Sequence, residues 1–153
     1  MNEFVNEYYV ISCAFFGLFS AQILKPFFGL LRTKKFDLLL INASGGFPSS
    51  HTSFVVATTL AIGLREGFSS SVFAIGIVFS LIVMYDAMNV RYYAGKNIEL
   101  TQQIIRDLKA HEFKLDNPLY INNLKEILGH ERLEVLGGLI LGIATPFIIN
   151  TLF

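Results

Sequence analysis

Side chains able to handle an oxyanion recur in this 153-residue chain at the edges of its apolar segments. Lys25, Arg32 and Arg91 supply cations, Ser49 and Ser50 stand just before His51, and His130 precedes Glu134 by four positions. Cations and hydroxyls beside helix N-termini suit a tetrahedral oxyanion. There, free N–H groups and the positive helix end add to the guanidinium fork. Two histidines can divide phosphoryl transfer, one attacking phosphorus and the other protonating the departing oxygen. His130 and Glu134 share a face if a helix begins near His130, and the carboxylate then holds the imidazole in its nucleophilic tautomer. The three histidines are scattered and no carboxylate pair has ligand spacing, so no metal and no cofactor is expected.

The elements that must position these residues are apolar. Hydrophobic residues make up 53% of the chain and charged residues 16%, against about 25% charged in soluble domains. Lipid is therefore the expected solvent. Lys plus Arg equals Asp plus Glu at 12 each, which leaves no basic footprint for nucleic acid. Four uncharged stretches stand out: 8–24, 51–64, 67–85 and 135–153. Past the first, apolar chain continues beyond Lys25 and Pro26 to Leu31. The second is short for a span; the last two approach the ~20 residues that a bilayer requires. Residues 42–48 read as a re-entrant loop, which needs protein or water over its backbone.

Between the last two spans lies a polar insert, 91–132. Ile98, Ile104, Ile105 and Leu108 give its first part an apolar stripe, for a membrane surface or for the bundle. A second insert helix follows, capped by Asp116 or Asn117, with Pro118 in its first turn and Gly129 at its end. His111, in the charged part, reads as solvated. The single cysteine, Cys13, allows no intrachain disulfide and fills space as a small hydrophobe. "VISC" has the look of a lipoprotein cleavage box, but Glu3 and Glu7 stand where a basic region belongs, so the N-terminus is expected to be retained. Without repeats or linkers, residues 1–153 read as one all-α domain, a membrane helix bundle of about four spans.

Loop charge then orients the chain. Lys25, Arg32, Lys34 and Lys35 follow the first span, and the insert carries seven more cations counting Arg91 and Arg132. The loop after the second span holds only Arg65. By the positive-inside rule the first and third loops are cytoplasmic. An up-down bundle places Lys25, Arg32, Ser49, Ser50, His51, Asp86, Arg91, His130 and Glu134 at that same surface. Asp86 is a functional suspect because ionisable groups near lipid are costly; neutralising a nearby cation is its structural alternative. His51 beside a cap and His130 at a helix boundary also have bland readings.

"KPFFGLLR" resembles the first motif of the type 2 phosphatidic acid phosphatase superfamily, a lysine and an arginine with six residues between them. "PSSH" is similar to its second motif, and "HERLE" to the end of its third. "GGFPSSHTS", "MYDAMNVR" and "LGHERLEVLGG" together resemble its divergent bacterial and plant branch, related to acid phosphatases and vanadium-dependent haloperoxidases. The resemblance runs from Gln22 to Gly142. It implies that His130 is the nucleophile and forms a phosphohistidine, that Glu134 orients it, and that His51 is the general acid. Lys25, Arg32, Ser49 and the backbone at Ser50 would hold phosphate.

Three positions depart from that pattern: Thr33 replaces a proline, Ser50 a glycine, and Leu124 the third-motif arginine. Arg91 is the candidate substitute and Lys125 the runner-up. The expected activity is metal-independent hydrolysis of a lipid phosphate or diphosphate at the cytoplasmic face of a bacterial inner membrane. The rival is a catalytically silent protein that binds phospholipid headgroups in an inherited pocket. Halide oxidation fits less well, since those relatives are larger and soluble. The expected partners are membrane lipid and a phosphorylated lipid substrate, with no nucleic acid. The small-residue stripe Gly138–Gly142 leaves open a homodimer or packing inside its own bundle.

Overall fold

The computed structural model describes residues 7–34, 36–43, 45–111 and 132–152. Every regular element among them is helical: α1 (Tyr9–Thr33), a 3-10 turn (Leu38–Asn42), α2 (Ser50–Glu66), α3 (Ser71–Met88), α4 (Val90–Ala110) and α5 (Arg132–Leu152). The fold is an all-α bundle, as the sequence reading held. The second insert helix, with Asp116, Asn117, Pro118 and Gly129, lies outside the described residues, as do Lys125 and His130.

Tyr9–Arg32, Ser71–Ala110 and Arg132–Leu152 are long and apolar enough to cross a membrane. α1 runs for 25 residues and passes straight through Lys25 and Pro26. Lys25 is 2% exposed, and its ammonium donates to the Ala43 carbonyl at 2.7 Å. The charge therefore does not end the helix; it is drawn inside. Pro26 sits within the helix, which bundled helices tolerate because neighbours satisfy the freed backbone groups. Lys34 closes α1 in the left-handed region, φ 57°.

The connection to α2 folds back over α1. Asp37 caps the 3-10 turn by accepting from the Leu39 N–H at 2.9 Å. Gly45 and Pro48 are buried, and Gly46, at φ +97°, lies 3.9 Å from the Lys25 stem when given a Cβ. Phe47 meets Phe28 edge-on, with ring centroids 4.6 Å apart, and its ring occupies the space that a side chain at Gly137 would need.

α2 is the centre of the bundle and packs on α1, α3 and α5. With 17 residues it is about 25 Å long, short of the ~30 Å hydrocarbon core. Small residues let its neighbours close in. The Ser53 hydroxyl donates to the Gly17 carbonyl at 3.0 Å. A Cβ at Gly142 would lie 2.7 Å from Val56 Cβ and 2.9 Å from the Ser53 carbonyl, and one at Gly138 would collide with the Ser49 carbonyl. The Gly138–Gly142 stripe is thus used inside the bundle.

α3 runs antiparallel to α2. The Thr59 and Ser80 hydroxyls bond at 2.9 Å, and Ser80 also donates to the Val55 carbonyl at 3.2 Å. Ser70 caps the helix by accepting from the Phe73 N–H at 3.2 Å. At its far end the chain turns into α4 through Asn89, whose N–H and side-chain amide both donate to the Tyr85 carbonyl, at 3.0 and 3.1 Å. Among the described residues, α4 packs substantially only on α3. Ile98, Ile105 and Leu108 of its stripe are half-buried, whereas Ile104 is exposed. The opposite face carries the Lys96–Glu99 ion pair at 2.8 Å.

Candidate functional site

The N-terminus of α2 organises the site. Ser49 is its N-cap: the side chain accepts from the Thr52 N–H at 3.4 Å and from the Thr52 hydroxyl at 3.0 Å. Its own N–H donates to the Glu134 carbonyl at 2.8 Å, tying the start of α2 to the start of α5. The contacts of Gly138 with Ser49 and of Gly142 with Val56 continue that register, so the two helices run parallel. Both positive helix ends therefore meet at one place.

Around that point four of the expected site residues come together from three helices. Lys25 is 2% exposed, Ser49 0%, Ser50 1% and Glu134 7%. A buried ammonium is costly unless it is paired and hydrogen-bonded. Lys25 has the Ala43 carbonyl as acceptor and Glu134 within electrostatic reach. Ser50 is different. Its buried hydroxyl has no hydrogen-bond partner, a state that costs about 1–3 kcal/mol. Buried donors, an ammonium and two helix ends make a place where an oxyanion would be held.

The remaining candidates stand at the same end of the bundle. Arg32 and His51 have exposed side chains, and Asp86 is half-buried in the last turn of α3. Arg91 lies in the first turn of α4. His130 and Lys125 are outside the described residues, so the partner that Glu134 is expected to orient is not on view. Among the described residues no three His, Cys, Asp or Glu side chains gather at metal-binding range.

One polar residue of this region escaped the sequence reading. Gln22 precedes Lys25 by three positions, and its buried Oε1 has no partner. The signal was present, since a lone amide in the uncharged run 8–24 is conspicuous.

Comparison with known proteins adds an independent line. A family model described as "Divergent PAP2 family" matches residues 6–145. The uncharacterized membrane protein YuiD of Bacillus subtilis (strain 168) is 32% identical over 139 residues, 87% of this chain and 88% of the relative. No solved structure matches the chain.

Proposed function

The chain belongs to the Divergent PAP2 family and is an integral membrane protein, and from that premise we propose that it hydrolyses a lipid phosphate monoester or diphosphate without a metal. The observation that carries the reading is the buried cluster of Lys25, Ser49, Ser50 and Glu134 where two helix N-termini meet. Apolar packing alone has no use for an ammonium and an unpartnered hydroxyl there.

In this reading Lys25, Arg32, Ser49 and the backbone at Ser50 bind the phosphate oxygens. His130 Nε2 or Nδ1 attacks phosphorus, and the bond to the lipid oxygen breaks as His51 delivers a proton to it. Glu134 holds the His130 imidazole in the attacking tautomer. Water then takes the phosphoryl group from histidine, with His51 accepting its proton, and free phosphate leaves. Arg91 stands in for the third-motif arginine at the crowded equatorial oxygens. The site faces the cytoplasm, on the charge asymmetry of the loops.

A second reading has its own observation: Leu124 occupies the arginine position of the third motif. A protein lacking that clamp would bind phosphorylated headgroups without turnover. Purified protein in lipid nanodiscs, given phosphatidate, lysophosphatidate and a prenyl diphosphate, separates the two. Phosphate release that His130→Ala abolishes and EDTA leaves intact supports the hydrolase. Binding of the same lipids with no release in any condition establishes the silent binder. Inhibition by EDTA that a divalent ion reverses contradicts the metal-free mechanism.

A further inference from the structure

α3 and α4 together make the 40-residue stretch Ser71–Ala110. Laid straight it would measure about 60 Å, twice the ~30 Å hydrocarbon core of a bilayer. α3 carries no charge before Asp86 and, at about 27 Å, takes up that core by itself. The helix breaks directly after it, at Asn89, with φ −117° and ψ −71°. Tyr85 and Tyr93, both exposed, stand on either side of the break, and tyrosine favours the headgroup level. α4 thus starts one residue beyond a membrane span.

Its side chains are sorted by side. Val90, Tyr93, Leu100 and Ile104 are 50–62% exposed, and at 100° per residue they fall within about 80° of one another. The half-buried Ile98, Ile105 and Leu108 widen the apolar arc to about 160°. Asn97 and Thr101 lie inside that arc, and the Thr101 hydroxyl turns back to donate to the Asn97 carbonyl at 2.7 Å. Arg91, Lys96, Arg106 and Lys109 all stand outside it, as do Glu99 and Asp107, so cations outnumber carboxylates two to one on the polar side. Among the described residues the bundle leaves this arc largely uncovered, since α4 packs substantially only on α3.

We infer that α4 lies along the membrane surface, with its apolar arc in the acyl boundary and its cations on anionic headgroups. The inference is independent of any phosphatase activity. Connectivity selects the occupant: a helix tethered to a span by Asn89 cannot leave the headgroup layer at its first turn. Composition agrees, because a charged, cation-rich face opposite a broad apolar one is the pattern of helices that lie in the interface. Standing in water, α4 would expose its large apolar side chains beside a lipid surface able to take them.

The test uses the full chain in nanodiscs containing phosphatidylglycerol, with a spin label on one new cysteine at a time. Cys13 is 0% exposed, and the native chain taken through the labelling step is the control. Labels at Leu100→Cys and Ile104→Cys should meet dissolved oxygen in preference to a water-soluble nickel chelate, at a depth of about 5–10 Å. Labels at Gln103→Cys and Arg106→Cys should do the opposite. Lys109→Gln in the Ile104→Cys background should raise the fraction of label in water roughly fivefold, the weight of one surface cation. In phosphatidylcholine alone the same substitution should change nothing. Equal nickel access at all four positions puts α4 in water and overturns the proposal. Shielding of Leu100→Cys and Ile104→Cys from both reagents means that protein, from this chain or a second copy, covers the arc, and overturns it too. A Lys109→Gln effect that is the same in the two lipids overturns the anionic headgroup.

Discussion

α2 and α3 are neighbours of almost equal length, 17 and 18 residues, with opposite surfaces. α2 hides Ser50, Thr52, Ser53 and Thr59 together with small apolar residues. α3 buries only Ser80 and Ala87, and shows Ile75, Val78, Phe79 and Ile82 to the outside at 57–69% exposure. In water that arrangement would be inside out. In a bilayer it follows from the solvent, because lipid tails are as apolar as any side chain and give helices no hydrophobic reason to pack. Close backbone approach and polar contacts bind the bundle instead. The helix with the most small and polar residues takes the centre, and the greasiest takes the rim.

The sharpest way to break this contrast is to thicken α5 where it touches α2. Gly138→Val should cost about 3 kcal/mol, the upper range for overpacking, and should be read as loss of monodisperse protein in detergent and a lower unfolding temperature. On α3 the vulnerable property is polarity rather than size. Val78→Lys should lower insertion efficiency by roughly 2.5–3.5 kcal/mol in a membrane-insertion assay, while Val78→Leu should change nothing. The far end of α3 leads to Arg91, and there the expected effect is on chemistry. Arg91→Lys should cut turnover roughly a hundredfold, or about 2.7 kcal/mol, with Lys125→Ala close to wild type. Equal effects of the two would remove Arg91 from the phosphate clamp. Smallest of all is the polar seam between the two helices. Thr59→Val should cost about 0.6 kcal/mol, since Ser80 keeps the Val55 carbonyl; double-mutant cycles with Ser80→Ala measure it.

The outer helices were the most legible part of the sequence. Long uncharged runs announce α1, α3 and α5, because lipid punishes charge over a length fixed by the bilayer. Legibility failed at Lys25, where hydropathy sees an end and the helix continues for eight more residues. A contact from residue 43 decides that position, and periodicity carries no information about it. α2 was legible through its cap, Ser49, but its central place rests on the glycines of other helices. For the candidate site, residue type and position at the edges of uncharged runs singled out Lys25, Ser49, Ser50 and Glu134, all of which are buried. Gln22 carries no charge and no catalytic group, and the burial of its unpartnered oxygen depends on packing that the sequence does not show.

Cys13 packs at 0% exposure among Tyr9, Ala61 and Ile149, and it is the single cysteine in the sequence. The protein is consequently its own blank for chemical mapping. An impermeant maleimide added to intact cells should leave the native chain untouched, so a new cysteine reports its side without prior removal of the old one. With the orientation proposed above, Lys35→Cys and Lys109→Cys stay dark in whole cells and label in inverted vesicles, while Gly67→Cys behaves in the opposite way. Labelling of the first two from outside would turn the protein over, and with it the compartment from which its substrate arrives.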